Sequence, residues 1–372
     1  RLMEAESADM AAILPSASAH APSPAPSAPY ATGLMWFRRD LRLEDNAALY
    51  HALRSCRQVH CVFVFDSAIL DGLPREDRRV EFIRESLVVL DDALRRAGGH
   101  AHGGLIVRHA VAATEIPRLA QALGVQSVFA NHDYEPQAAA RDARVRGALA
   151  DAGIAFHTAK DQVIFEREEV LTQTGKPYAV FTPYKNAWLK KVDAFYLKPY
   201  PVARYVQALA PRPAAHRDPV PALAQIGFTP SNLAELKIPC GSTGGEALFH
   251  EFLERIDRKR ASDDRDSFAA FCRATQEDGT PYSDEDIANH MIFLMLAAHD
   301  TTASAATMAA YHLANSRDAQ EELAAAVLAT ERPIGYDAMF RTLPEMSGTF
   351  YETIRMHPPV AMLLRRTVRA CE

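Results

Sequence analysis

A short run of charged residues follows the first apolar stretch of the chain. It holds three arginines and three acidic residues, which are Arg38, Arg39, Asp40, Arg42, Glu44 and Asp45. Guanidinium groups form paired hydrogen bonds with carboxylates, and they bind the phosphate groups of ligands in the same way. Because an isolated surface ion pair contributes only about 0–1 kcal/mol, the run can brace the fold only as a network. Two interpretations stay open: a structural brace in which these charges pair with each other, and a direct contact with an anionic ligand.

The second half of the chain contains another group of polar residues, inside an apolar helical pattern. Ser283 and the acidic residues after it predict the start of a helix, which continues to about Asn315. Its middle, residues 297–302, reads AAHDTT, and the side chains of threonine and aspartate compete there for backbone hydrogen bonds. Such side chains can open a local bulge in a helix. Farther on, Glu352 and Arg355 share one helical face and can form an ion pair.

Other common kinds of site have no support in the sequence. The five cysteines are scattered without a CxxC pair, which favours a reducing compartment and predicts no metal site. No glycine-rich dinucleotide or phosphate-binding motif follows a predicted strand. The net charge of −6 gives no overall attraction for nucleic acid, and no protein partner is indicated. The longest apolar stretch, near residues 291–298, is far below the about 20 residues that span a bilayer, so we expect a cytoplasmic protein without membrane contact.

The apolar pattern predicts the elements that position these residues. The chain has 372 residues, 48% hydrophobic and 24% charged, which is typical of a globular protein of about two domains. Residues 1–32 are rich in Ala, Pro and Ser, and we expect a disordered tail there. Five short apolar runs then alternate with amphipathic helical patterns: residues 34–37, 59–65, 105–107, 127–130 and 154–156. This alternation predicts an α/β fold with a five-stranded parallel Rossmann-like sheet, followed by an all-α partial region.

Ligands bind beyond the carboxyl ends of the strands in such sheets. The loops at residues 38–46, 66–75 and 131–135 follow predicted strands, so they are the candidate binding loops. The charged run described above lies in the first of them.

Four motifs in the first part of the chain resemble those of the DNA photolyase and cryptochrome family. They are WFRRDLRLEDN at residues 36–46, NHDYEP at 131–136, FTPYKNAW at 181–188 and GGEA at 244–247. The resemblance implies a light-harvesting α/β antenna domain at residues 33–205, then a linker and the start of the helical flavin domain at 206–258. It also implies FAD as a cofactor and DNA as the partner of the parent photolyase. Arg38, Arg39, Asp40 and Arg42 would then contact the chromophore or brace the structure around it.

One position departs from the folate-binding members of this family. Those members carry an Asn-Glu pair whose carboxylate contacts the pterin, and this chain has Gln137 and Ala138 at the corresponding positions. Because Ala138 offers no acceptor to the pterin N–H groups, folate is not supported as the antenna. The antenna chromophore is therefore another molecule, or the domain has none.

The polar helix of the second half resembles the oxygen-binding helix of the cytochrome P450 superfamily. The likeness runs over residues 297–302, with Ala298 in place of the usual glycine. It implies that Thr301 hydrogen-bonds iron-bound dioxygen and that Asp300 relays protons. It also implies that Ala297 and Ala298 lie near a haem.

A second motif extends this likeness to residues 259–372. Glu352 and Arg355 resemble the E-x-x-R ion pair of the superfamily. Arg365 falls where the superfamily places an arginine toward a haem propionate. Haem iron is thus the cofactor that this part of the chain implies.

Both resemblances lack segments that carry the chemistry of their families. The flavin-phosphate segment of photolyases does not follow residue 245, and the two tryptophans, Trp36 and Trp188, both lie in the α/β portion. A tryptophan electron-transfer chain in the second half is therefore excluded. The cysteine loop that ligates haem iron in P450s is not present either, because Cys371 lacks the Phe and Gly neighbours of that loop.

Three hypotheses follow for the function. The chain is a light-dependent photolyase acting on damaged DNA, or it is a haem monooxygenase of the P450 type, or it is a chimera in which neither catalytic centre is intact. Natural fusions usually join at exposed linkers, whereas the join near Arg258 lies inside a helical pattern. We therefore favour the chimera: a photolyase-type antenna domain fused to a truncated monooxygenase fragment. Natural fusion and accidental assembly both stay open.

Overall fold

The structure, a computed structural model, describes residues 28–276, 278–330, 341 and 343–359. It divides into two compact units, with the boundary between Leu248 and Phe249. This boundary falls within one helix, α8, which spans Gly241–Ala261. Each unit has buried apolar clusters of its own.

The first unit is built on a five-stranded, wholly parallel sheet. The strands are β1 Tyr30–Phe37, β2 Cys56–Asp66, β3 Leu105–Ala110, β4 Ser127–Asn131 and β5 Ala155–Ala159. Their order across the sheet is β3-β2-β1-β4-β5, so the chain runs outward from the centre to one edge and then to the other. The predicted fold class is confirmed, and all five predicted apolar runs are strands.

Helices pack on both faces of this sheet, which explains why its central strands are apolar on both sides. Helices α1 (Ala47–Ser55) and α3 (Arg78–Gly98) contribute to one apolar cluster. Helices α4 (Ala112–Ala122) and α5 (Pro136–Asp151) contribute to the other. A short helix α2 (Ser67–Leu70) follows β2. Successive strand residues point to opposite faces, so buried Trp36 joins the second cluster and buried Phe37 the first.

After β5 the chain leaves the sheet and returns to it through short elements. These are α6 (Phe181–Lys191), three 3-10 turns (Val202–Ala208, Ala214–His216 and Leu223–Ile226) and α7 (Leu233–Leu236). Arg212 holds part of this segment against the sheet, because its Nη1 donates to the carbonyl oxygens of Leu105 (3.2 Å) and Asp218 (3.0 Å). Its side chain is nearly buried, and the carboxylate of Asp91, 3.7 Å away, supplies an opposite charge.

A buried hydrogen-bond network joins the carboxyl ends of β1 and β4. The amide of Asn131 donates to Asp40 (2.6 Å) and to the amide oxygen of Asn46 (2.9 Å). Asn46 also donates to Asp40 at 3.1 Å. These three side chains are at most 6% exposed, and unpaired polar groups at such depth are costly. The network therefore holds the loop after β1 in one conformation.

The same network caps helix α1. The first N–H groups of a helix have no partner within it. In α1 they donate to three different side chains: Ala47 to Asp161 (3.0 Å), Ala48 to Asn131 (2.8 Å) and Leu49 to Asn46 (3.0 Å). The caps come from the loop after β1, from the end of β4 and from the loop after β5. The start of α1 therefore links the ends of three strands.

The described residues of the second unit are mostly helical, with an isolated antiparallel bridge between Thr275 and Pro281. The unit comprises most of α8, then α9 (Ser267–Arg273), α10 (Asp284–Asn315), α11 (Arg317–Ala329) and α12 (Pro344–Met356). Its buried cluster is small and consists of Ile256, Phe268, Cys272, Ile287 and Met291. Ser283 caps α10 by accepting from the backbone N–H of Asp286, as the sequence predicts.

The polar side chains in the middle of α10 do not open a bulge there. The helix runs unbroken from Asp284 to Asn315. The Thr301 hydroxyl donates to the carbonyl oxygen of Ala297, one turn earlier, at 2.8 Å. The side chain thus adds a bond to a carbonyl that keeps its place in the helix, so it does not break the backbone ladder. No helix of the described residues is both long and apolar enough to cross a bilayer.

Replacing Asn131 with alanine tests the buried network. Asn131→Ala leaves Ala48 N–H without its acceptor and removes a donor from Asp40, so the free energy of unfolding should fall by about 1–3 kcal/mol. Urea unfolding followed by tryptophan fluorescence measures this in the first unit, which contains both tryptophans. Asn186→Ala, on the exposed surface of α6, is the control and should change stability by less than about 0.5 kcal/mol. Equal effects of the two variants would contradict the role of the network.

Candidate ligand-binding site

A cleft of about 510 Å³ lies beyond the carboxyl ends of β1 and β2. This is where ligands bind in open parallel sheets, and the volume is within the range of small-molecule sites. The floor is apolar and includes Trp36, Phe37, Phe63, Val64 and Phe65. Residues from all three candidate binding loops contribute to the lining, among them Arg38, Asp66 and Asp133.

Four arginines line the cleft: Arg38, Arg39, Arg141 and Arg144. Arg38 contacts both carboxylate oxygens of Asp142, at 2.7 and 2.8 Å, and is almost buried. Arg39 is more than half exposed and pairs with Glu135 at 2.7 Å. Arg144 is exposed and makes no ion pair with any described residue. Among the arginines of the cleft, Arg144 is therefore the one whose charge no carboxylate of the described residues compensates.

The guanidinium groups of Arg38 and Arg141 lie near the Trp36 ring. Their central carbons are 4.8 and 5.0 Å from the ring centroid. Contacts of this kind contribute about 0.5–2 kcal/mol, and more where water is excluded. Trp36 is 2% exposed, so the two arginines help to fix an aromatic floor beneath a cationic rim.

Asp133 is the central carboxylate of this rim. Its side chain is 6% exposed, and it lies 3.3 Å from Arg141 and 3.5 Å from Arg39. Burial alone would raise the pKa of Asp133, but its contact with Glu135 and the guanidinium groups of Arg39, Arg38 and Arg141 hold the pKa below its ordinary value. The carboxylate is therefore ionised at neutral pH and orients the arginines around it.

The first turn of α5 adds a further positive element. Gln137 and Ala138 line the cleft, and no side chain caps this helix terminus. Pro136 occupies the first helical turn, where a missing N–H costs nothing. The free N–H groups and the helix dipole favour a negative group of a ligand at this point.

The sequence-predicted residues of the charged loop separate into two groups. Arg38 and Arg39 line the cleft. Asp40 is turned into the buried asparagine network, and Arg42 pairs with Asp161 at 3.0 Å, so neither lines the cleft.

The interpretation in which the charges of this loop pair with each other is wrong. The three arginines pair with carboxylates of other segments: Arg38 with Asp142, Arg39 with Glu135 and Arg42 with Asp161. The physical reason is that Asp40 is already occupied by hydrogen bonds from buried donors. The parallel crossovers also bring α5 and the loop after β5 to the same edge.

Arg141 and Arg144 were missed by sequence reasoning. Both lie on α5, and their spacing in the sequence could have identified them. Gln137, Arg141 and Arg144 are spaced as i, i+4 and i+7, which places them on one helical face. Since Gln137 follows a candidate binding loop, that face is directed at the same end of the sheet.

The residues predicted from the P450 likeness lie on α10 and α12 of the second unit. Ala297, Ala298, Asp300 and Thr301 are exposed. Ala298 belongs to an open groove whose lining residues, Met295 to Ala303, all come from this one helix. The Thr301 hydroxyl is engaged by the Ala297 carbonyl oxygen. In the described residues no second wall faces this segment to enclose a haem.

The Glu352 and Arg355 side chains form a two-bond ion pair on α12. Arg355 donates to both carboxylate oxygens of Glu352, at 2.6 and 2.7 Å, and this pairing lowers the pKa of Glu352. Both side chains are exposed. Beyond the end of α12, the His357 ring lies 5.0 Å from that of His312, near the end of α10.

The structure does not bring the two P450-like motifs together. His312 lies 11 positions after Thr301 on an unbroken helix, or about 16 Å along its axis. The Glu352–Arg355 pair is on the helix that ends beside His312, near the end of α10, whereas the Asp300–Thr301 segment lies in the middle of α10. Arg365 lies outside the described residues.

The described residues of the second unit do not fit a haem. The thiol of Cys272 is buried in the apolar cluster, and burial raises its pKa, so it is protonated at neutral pH rather than a thiolate ligand. In the part of the chain that the structure describes, no group of three or more His, Cys, Asp or Glu side chains is arranged to hold a metal ion.

Comparison with known families agrees with this two-part organisation. Residues 33–205 match the family model of DNA photolyase, and residues 244–371 match that of cytochrome P450. The α/β domain thus matches the DNA photolyase family, and the second part of the chain matches the cytochrome P450 family. These families imply FAD and haem, respectively.

Individual relatives show the same division. A deoxyribodipyrimidine photo-lyase of Halobacterium salinarum is 33% identical over 243 residues, which are 63% of this chain and 48% of that protein. A putative cytochrome P450 136 of Mycobacterium tuberculosis is 35% identical over 133 residues, 36% of this chain and 27% of that protein. An uncharacterized 31.6 kDa protein of Synechococcus is 38% identical over 159 residues, 43% of this chain and 55% of that protein. The chain thus spans about half the length, or less, of these relatives.

The crystal structure of a bacterial class III photolyase from Agrobacterium tumefaciens is similar in fold. It matches with a TM-score of 0.50 and 22% identity, over 73% of this chain and 60% of that one. At this identity the likeness concerns the fold alone.

Asp133→Asn tests the electrostatics of the cleft. Because the pKa of Asp133 is lower in the folded state than in the unfolded chain, its ionised form stabilises the fold above about pH 4, and this contribution is lost as the pH falls through the folded-state pKa. The variant should be destabilised by about 1–3 kcal/mol at pH 7, and the difference should shrink at pH 3. Urea unfolding at both pH values measures it. Asp151→Asn, exposed at the end of α5, is the control and should change the free energy of unfolding at pH 7 by less than about 0.5 kcal/mol.

Proposed function

We propose that the photolyase-family domain binds a planar, anionic, light-absorbing chromophore in the cleft beyond β1 and β2. The observation that carries this proposal is the combination of an aromatic floor with a cationic rim. Trp36 lies beneath two guanidinium groups, and Arg144 is available for a negative group of the ligand. A flat ring system would pack on the floor, and its charged group would face Arg144 and the uncapped start of α5.

The lining of the cleft argues against folate as this chromophore. Ala138 is nearly buried and belongs to the lining, but it has only a methyl group there. The neighbouring Gln137 is a neutral amide, so neither residue can accept charge-assisted hydrogen bonds from pterin N–H groups. The other carboxylates that line the cleft are already engaged: Asp133 by Arg141, Glu135 by Arg39, and Asp66 by the backbone N–H groups of Ala68 and Ala112.

We further propose that the 372-residue chain carries out neither photolyase nor P450 catalysis by itself. Residues 249–372 contain no tryptophan that could pass electrons to a flavin. The Asp300–Thr301 segment lies on an exposed helix surface, apart from any buried thiolate. The alternative, a haem monooxygenase, is favoured by the P450 family match but lacks an enclosed site in the described residues.

Titration with flavin mononucleotide tests the chromophore proposal. The probe is a planar anion, and its binding should quench the fluorescence of Trp36. Arg144→Gln should weaken binding about tenfold, the loss expected for one charge-assisted contact. Arg146→Gln is the matched control, because Arg146 is exposed on the same helix and does not line the cleft. Unchanged affinity in Arg144→Gln, or equally tight binding of methenyltetrahydrofolate by the natural sequence, would contradict the proposal.

Reconstitution with haemin tests the proposal that the chain by itself carries out no P450 catalysis. After reduction under carbon monoxide, the chain should lack the red-shifted Soret band of a thiolate-ligated haem, because the described cysteine of the second unit is a buried, protonated thiol. Cys272→Ser is the control and should give the same spectrum. A thiolate-type band would overturn the proposal that the chain lacks both catalytic activities. Light-dependent repair of pyrimidine dimers by the purified chain would also overturn it.

A further inference from the structure

A second cavity in the first unit shares no lining residue with the cleft. It has a volume of about 460 Å³ and lies between α1 and the strands β4 and β5. Phe129 and His157 are paired in register on these strands, so both side chains lie on the same face as α1. The start of β1, through Tyr30, and the returning segment, through Tyr200, complete the lining.

The walls of this cavity are aromatic. Phe129 and His157 are stacked, with ring centroids 4.9 Å apart and an angle of 27° between the rings. On the other side, the rings of His51 and Tyr200 lie 5.8 Å apart in an edge-to-face contact. Phe129 is buried and His157 is exposed, so the stack presents its imidazole end to an incoming molecule. A flat ring can extend this stack.

The polar groups of the cavity are donors or cations. Its ionisable lining residues are His51, His157, Lys160, Tyr30 and Tyr200, and none is a carboxylic acid. The Tyr30 hydroxyl and His157 Nε2 are 3.0 Å apart, which orients the imidazole. Lys160 is held at the rim by Glu169, at 2.7 Å. A negatively charged group inside the cavity therefore meets no fixed carboxylate among the lining residues.

We propose that this cavity is a second binding site, for a small planar aromatic anion of mononucleotide size. The ring of the ligand packs against His157 and Phe129, and its anionic group lies among the donors of His51, Tyr200 and Lys160. The site is independent of the chromophore proposal, because the two sets of lining residues do not overlap.

Calorimetric titration with adenosine 5′-monophosphate tests this site in the full chain. Adenosine supplies the ring without the anion, and ribose 5-phosphate supplies the anion without the ring, so each should bind at least about tenfold more weakly. His157→Leu keeps an apolar contact on Phe129 but removes the stacking ring, and it should weaken binding of the monophosphate about tenfold. His51→Gln should also weaken it. His109→Gln, an exposed histidine on β3 outside the cavity, is the matched control.

The outcomes separate this site from the cleft and from a folding defect. Arg144→Gln should leave binding of the monophosphate unchanged, and the variants of the cavity should keep the urea midpoint of the natural sequence. Absence of binding would overturn the proposal. So would ribose 5-phosphate binding as tightly as the monophosphate, or equal affinity in His157→Leu and the control.

Discussion

The buried contact between Asp40, Asn46 and Asn131 is the interaction on which the first unit depends. It lies where a parallel sheet is weakest, at the carboxyl ends of strands, since the backbone groups there have left the ladder and need other partners. One set of side chains satisfies these groups for β1, β4 and the start of α1. Because each side chain serves two elements, the loop after β1 has few alternative conformations. The position of the cleft follows from that restriction.

The arginines of the cleft depend on this arrangement. Because Asp40 is directed inward, Arg38 and Arg39 pair with other carboxylates. These belong to Asp142 on α5 and to Glu135 in the loop before it. Arg38 also donates to the carbonyl oxygen of Asn131, which fastens the rim to the end of β4. The ion pairs thus connect separate elements, and burial protects the Arg38–Asp142 pair, unlike the exposed Arg39–Glu135 pair, from solvent screening. A set of pairs within one loop would hold only that loop.

The second unit is organised differently. Its buried cluster has five residues, whereas the two clusters of the first unit together cover both faces of a sheet. Long apolar side chains remain on the surface of α10, and Phe293 and Leu296 are 70% and 74% exposed. Here Thr301 satisfies its hydroxyl within its own helix, so the motif is present as sequence without an enclosed site in the described residues.

The sequence by itself determined the alternation of strands and helices, the two families and the loops that contribute to the cleft. These are local or periodic properties: apolar runs of strand length, helical spacing from Glu81 onward, and motifs such as WFRRDLRLEDN, whose residues are adjacent in the chain. Tertiary structure alone decided the partners of the arginines and the division of one charged loop into cleft-lining and buried residues. It also decided that Arg141 and Arg144 join a loop about a hundred residues earlier, and that the helix of Glu352 ends beside His312 rather than beside Thr301. The physical reason is that ion pairs and buried hydrogen bonds depend on distance in space. Parallel crossovers bring together residues that are far apart in the chain, so their spacing in the sequence does not reveal the contact.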